Sequence, residues 1–129
     1  AQELVKSVHL ELDQTHKEDR LRLYQEIEHL VARHRWREAY GTAMTLLARH
    51  PESPEATKLQ KQLDELKYNA EVQERRETEE SITEHLHQGR YRQAYEVASD
   101  LIDKYPESPQ AEALKGRMEW LRERAQLPQ

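Results

Sequence analysis

The chain has 129 residues, 36% of them apolar and 35% charged, with neither Phe nor Cys and a formal net charge of −5. That length allows one ordinary domain or two small units sharing an element; the missing cysteines exclude disulfides and thiolate chemistry, and the well-mixed negative balance argues against a general nucleic-acid-binding surface. No apolar run approaches the roughly 20 residues needed to span a bilayer and no cleavable signal sequence is visible, so the chain as given should be soluble and meet a membrane only through segments outside it.

Three glycines and five prolines leave long runs of good helix formers and no strand-like alternation, which predicts an all-α chain. Residues 2–34 contain neither Pro nor Gly. Leu4, Val8 and Leu12 step by four, residues 13–20 are wholly polar, and Leu23, Tyr24, Ile27, Leu30 and Val31 resume the amphipathic spacing. This is one helix, or two in tandem, since Thr15 and Glu18 have the form of a capping box. A short turn over 33–37 leads into a helix of about four turns whose stripe is Trp36, Ala39, Tyr40, Ala43, Leu46, Leu47 and His50. Pro51-Glu52-Ser53-Pro54 then stops that helix and starts another: Pro51 cannot continue it, Ser53 is a favoured N-cap, and Pro54 fits the first helical position.

Ala56, Leu59, Leu63, Leu66 and Ala70 mark one face of the next helix, and residues 73–80 carry no apolar side chain. Oppositely charged pairs four apart, Glu71 with Arg75, Arg75 with Glu79 and Arg76 with Glu80, are expected to support helix through that stretch. If residues 54–88 are one helix it is roughly 50 Å long; the other reading breaks it near 78–81, where Ser81 and Glu84 form another capping box. Ile82 and Leu86 precede Gly89, a good C-cap, and Tyr91, Ala94, Tyr95, Ala98, Leu101, Ile102 and Tyr105 form the stripe of a second short helix. A last helix is expected from Pro109 to about Ala125, with Ala111, Leu114, Met118 and Leu121 inward and Trp120 off the stripe.

Residues 34–54 recur almost in place at 89–109, an offset of 55: Trp36 falls on Tyr91, Ala39 on Ala94, Tyr40 on Tyr95, Ala43 on Ala98, Leu46 on Leu101, and Pro-Glu-Ser-Pro on itself. Periodicity therefore predicts two antiparallel helical hairpins, each closed by a third helix and joined by a long shared one. The expected layout is a single, elongated all-helical domain over 1–129, with repeat units at 20–72 and 75–127 and a helical extension at 1–19.

Gly89, Tyr91, Ala94, Ala98, Leu101, Ile102, Tyr105 and Pro106 are spaced as in the second helix of a tetratricopeptide repeat, and His34, Trp36, Ala39, Ala43, Leu46, Leu47 and Pro51 match the same pattern with His in place of Gly. The chain thus resembles the tetratricopeptide family over about a third of its length, and its Tyr-Pro-Glu-Ser-Pro variant is similar to that of bacterial envelope members. The first helix of each hairpin lacks the family's Trp-x-x-Leu-Gly pattern, and the offset of 55 exceeds the ordinary repeat of about 34 residues. The resemblance implies helix-turn-helix units that bind protein segments, and favours a bacterial envelope or periplasmic location over the cytoplasm.

No phosphate-binding loop, paired nucleophile and base, or His-Glu-x-x-His is present, so no enzyme activity, cofactor, metal or small-molecule substrate is expected. His85, His87 and Glu84, or His29 with His34, are spaced by intervals that do not bring the histidines onto one helical face. Arg35 and Arg37 flank Trp36, and Arg90 and Arg92 flank Tyr91, so a cation sits on each side of an aromatic at the same place twice. These four arginines are the candidate rims for a protein partner; the competing reading has them solvated or paired with acids such as Glu38. Tyr40 and Tyr95 either line a groove or fill the hairpin core.

The offset also places Ala1, Leu4 and Val8 on Ala56, Leu59 and Leu63. Leu4 and Val8 would then form a stripe that meets another copy, giving a homodimer, or a repeat preceding this segment, or folds back on residues 21–50. The start at Ala1 rather than Met is that expected of a processed product or a piece of something longer. The expected role is a non-catalytic scaffold for a protein partner or for itself, or alternatively a structural spacer.

Overall fold

The structure is a computed structural model. It describes the backbone of residues 2–127 and the side chains of residues 14–127. It is all-helical, in chain order α1 (Gln2–Ala32), α2 (Trp36–Arg49), α3 (Pro54–His87), α4 (Tyr91–Lys104), α5 (Pro109–Lys115) and α6 (Met118–Arg124). None of these helices is long and apolar enough to cross a membrane.

The chain forms two units, residues 1–71 and 72–129. In the first, Leu23 and Ile27 of α1, Ala39, Ala43 and Leu46 of α2, and Ala56, Leu59 and Leu66 of α3 make one buried core. In the second, Ile82 from the end of α3 joins Ala94, Ala98 and Leu101 of α4, Ala111 and Leu114 of α5, and Leu121 of α6. Both short helices bury alanines at full depth, Ala39 and Ala43 in one and Ala94 and Ala98 in the other. A methyl side chain there lets neighbouring helices approach closely, so the bulk of each core comes from leucine and isoleucine on the flanking helices.

Both tandem-helix alternatives give way to continuous helices. α1 runs unbroken through Thr15, and α3 through 78–81, where Thr78 Oγ1 donates back to Glu74 O at 2.8 Å. The expected pairs Glu71–Arg75, Arg75–Glu79 and Arg76–Glu80 do not form among the described residues. Arg75 lies instead over the Tyr105 ring, 5.1 Å from its centroid, because packing in the second unit outweighs the few tenths of a kcal/mol of an exposed pair. The helix needs no such pairs, since its sequence there is rich in good helix formers.

The last expected helix is two. α5 ends at Lys115 and α6 begins at Met118, with Gly116 at φ −70°, ψ −12° and Arg117 at φ −109°, ψ −6°. The Arg117 N–H reaches Leu114 O at 2.8 Å, a three-residue step that replaces the helical bond. Glycine in a helix interior costs roughly 1 kcal/mol against alanine. At the matching place in α3 stand Lys61 and Gln62, and the helix continues.

The Pro-Glu-Ser-Pro turn has the expected geometry in both units. Ser53 Oγ accepts from Ala56 N–H at 3.1 Å and donates to His50 O at 2.8 Å; Ser108 Oγ accepts from Ala111 N–H at 3.1 Å and donates to Tyr105 O at 2.8 Å. Each serine satisfies one of the orphan donors of the helix that follows.

Candidate functional site

The arginine rims are set by the turns that precede α2 and α4. His34 has φ 57° and Gly89 φ 71°, the left-handed conformation that reverses a chain at a helix end. The next N–H reaches back five residues in each case, Arg35 N to Leu30 O at 2.9 Å and Arg90 N to His85 O at 2.8 Å. Arg35 and Arg90 are thereby fixed as the N-terminal flanks of α2 and α4, with nearly equal backbone angles of φ −89°, ψ 69° and φ −87°, ψ 70°.

Their side chains differ. Arg35 is exposed and pairs with Glu38 at 3.6 Å, while Arg90 is half-buried, its Nε donating to His85 Nδ1 at 2.9 Å and Nη1 to Gln88. Arg92 is exposed and pairs with Glu96 at 3.6 Å, and Arg37 is exposed. Pairs as open as Arg35–Glu38 and Arg92–Glu96 contribute little energy and exchange readily with other anions. The aromatics between these arginines are half-buried: Trp36 packs on the first core and stacks with His34, ring centroids 5.4 Å apart, and Tyr91 meets Trp120 edge-on at 6.0 Å.

Tyr40 and Tyr95 pack against their cores, and Arg122 Nη2 donates to the Tyr95 hydroxyl at 3.0 Å. That hydrogen bond is the main cause holding the Arg122 guanidinium above its usual pKa. The side chains of Leu4 and Val8 lie outside the described residues. Among the described residues no three His, Asp or Glu side chains converge as metal ligands.

Sequence inspection did not single out a polar cluster at the other end of α2. Asp19 on α1 receives His50 Nε2 at 2.7 Å and Arg22 Nη2 at 2.7 Å, with Arg49 Nη1 at 3.5 Å. These contacts hold the Asp19 carboxyl at about 2, against 3.8 ordinarily, the hydrogen bond from His50 contributing most and that from Arg22 next. In the second unit Glu74 receives the Tyr105 hydroxyl and Lys104 Nζ, the latter at 2.7 Å. Asp19, Arg49 and His50 stand 55 residues before Glu74, Lys104 and Tyr105, so the offset seen in the sequence also relates these two pairings.

The first unit also has a recess of about 260 Å³ beside Trp36, bordered by Val31, Leu66, Gln62, Glu65 and Asn69. No protein-family model, curated protein or solved structure matches the chain.

Proposed function

We propose that this chain is a non-catalytic protein-interaction scaffold of tetratricopeptide-like type, whose partner reaches the rims at Arg35, Arg37, Arg90 and Arg92. The observation that carries this reading is the repetition of one device: a left-handed residue, His34 or Gly89, sets a cation and then an aromatic at the start of a short helix in each unit. The exposed guanidinium groups of Arg35, Arg37 and Arg92 beside half-buried rings suit an acidic, extended or helical peptide. The resemblance to bacterial envelope tetratricopeptide proteins supports an envelope or periplasmic setting.

Peptides selected from a displayed library on the intact chain test this. Alanine at Arg35, Arg37, Arg90 and Arg92 together should weaken the selected peptides by about tenfold or more while helicity is retained. Peptides that bind the fourfold variant unchanged would remove the rims from the interface.

A second reading, self-association or a structural spacer, is favoured by one feature of α1: among its described side chains, residues 14–22 contribute none to the buried core, which begins at Leu23. Light scattering over a range of concentrations, on the chain and on a form lacking residues 1–19, separates the two. A dimer that dissociates on truncation supports self-association through Leu4 and Val8.

A further inference from the structure

The two units fill the same place differently. At offset 55, Trp36, Gln62, Glu65, Leu66 and Asn69 of the first unit correspond to Tyr91, Arg117, Trp120, Leu121 and Arg124 of the second. In the second unit the positions from Arg117 onward lie at or after the α5–α6 break, and the chain's own side chains pack on one another there. The Trp120 ring meets Tyr91 at 85°, and the guanidinium groups of Arg117 and Arg124 lie over Trp120 at 5.7 and 5.1 Å from its centroid. An aromatic ring at the start of a short helix thus packs, in the second unit, with a second ring that itself receives planar cations.

In the first unit, where Glu65 replaces the tryptophan, the recess of about 260 Å³ remains open. It is smaller than the roughly 300–1,000 Å³ of small-molecule sites, and so is sized for a single side chain. The indole of Trp36 forms part of its wall and is held in place by stacking on His34 with the planes 10° apart. Val31 and Leu66 supply apolar surface. Among the described residues, Glu65 has no hydrogen bond or ion pair, nor do the amides of Gln62 and Asn69.

An aromatic wall, one uncompensated carboxylate and two amides make a recognition set for a guanidinium. Its flat face is attracted to the indole, and its N–H donors suit a carboxylate and amide oxygens. A lysine ammonium offers the charge without the flat face or the fork of donors. We infer that this recess takes an arginine side chain of the partner protein, a deepening that rests on the scaffold reading. Because Trp36 lies between Arg35 and Arg37, the fitting segment has its arginine next to acidic residues, and the net charge of −5 favours approach of the basic anchor.

The chain has two tryptophans, so the indole N–H region of a nitrogen-correlated NMR spectrum holds two signals, assigned by Trp36→Phe and Trp120→Phe. The probe is acetyl-Gly-Arg-Gly-amide, with its lysine and its neutral citrulline counterparts as controls. The Trp36 signal should move saturably with the arginine peptide while that of Trp120 stays, and citrulline should bind about tenfold more weakly. Glu65→Gln should weaken the arginine peptide about tenfold, and Glu65→Trp, which reproduces the residue of the second unit, should abolish binding in a folded chain. A Trp36 signal that does not move, that responds equally to citrulline, or that is indifferent to both Glu65 variants would overturn the assignment. Those outcomes leave the rim experiment untouched, since a scaffold can bind through Arg35, Arg37, Arg90 and Arg92 with this recess empty.

Discussion

His50 Nε2 stands 2.7 Å from Asp19 Oδ2, joining the C-cap of α2 to the middle of α1. A carboxylate only accepts, so the imidazole carries its proton on Nε2 and donates it. This bond, with that from Arg22, keeps Asp19 ionised down to about pH 2, whereas in the unfolded chain it protonates near 3.8. A folded-state value below the unfolded one means the contribution is complete above about pH 4 and is lost as pH falls through 2. Asp19→Asn should therefore be less stable than the parent at pH 7, by a margin that closes between pH 4 and 2. Urea unfolding of both proteins across that range checks it; a margin unchanged at pH 2 would dismiss the ion pair as its cause.

The left-handed residues before α2 and α4 should answer substitution with opposite signs. Gly89 at φ 71° is in a conformation that costs an L-residue about 1–2 kcal/mol, and a Cβ there would meet nothing within 4 Å that could repay it. Gly89→Ala should destabilise the second unit by about 1 kcal/mol. His34 already bears that strain at φ 57°, offset in part by its stacking on Trp36. His34→Gly should be neutral or stabilising by up to about 1 kcal/mol. Thermal unfolding of the two variants distinguishes strain from a simple loss of side-chain contacts, which would destabilise at position 34 as well.

Arg20 Nε donates to Glu55 Oε2 at 3.0 Å in the first unit. The corresponding residues of the second, 55 positions on, are Arg75 and Gln110, and there both Arg75 Nε and Gln110 Oε1 are buried without a hydrogen-bond partner. Gln110→Glu should restore the charged pair, and it places an acid in the first turn of α5, where the helix dipole favours it. A gain of about 1 kcal/mol in denaturant unfolding is expected, with a smaller gain in an Arg75→Met background. Equal gains in both would assign the effect to the dipole alone.

Gly41 lies inside α2, where an added Cβ would meet nothing within 4 Å. Neither a positive φ nor a close neighbour requires glycine there, and Glu96 occupies the matching place in α4. Gly41→Ala should stabilise the first unit by roughly 0.5–1 kcal/mol through backbone entropy. Hydrogen exchange of the α2 amides would show it directly, as slower exchange without a change of fold.

Much of this architecture could be read in the residues themselves because local signals agree with one another. Ser53 and Ser108, each set between two prolines, can do little but end one helix and start the next. The stripes of alanine and leucine in α2 and α4 are buried where the spacing put them. Legibility failed where two local choices were close in energy. A polar stretch with a capping box at Thr15 or Ser81 can begin a helix or continue one, and Gly116 can be carried in a helix or break it. The Arg75 pairs failed for another reason: a side chain that can reach Tyr105 prefers a ring in a packed environment to a glutamate in water.

By itself, then, the sequence determined the helical class, the short-helix boundaries and the offset of 55, since these follow from backbone restrictions and the 3.6-residue period, which act within a few residues of chain. Only the tertiary structure decided that Asp19 meets His50, that Arg75 leaves its helical neighbours for Tyr105, and that a recess stays open between Trp36 and Glu65 while Trp120 meets Tyr91. Those relationships join residues about 30 positions apart through the packing of separate helices, and no local preference of the chain encodes which side chains that packing brings together.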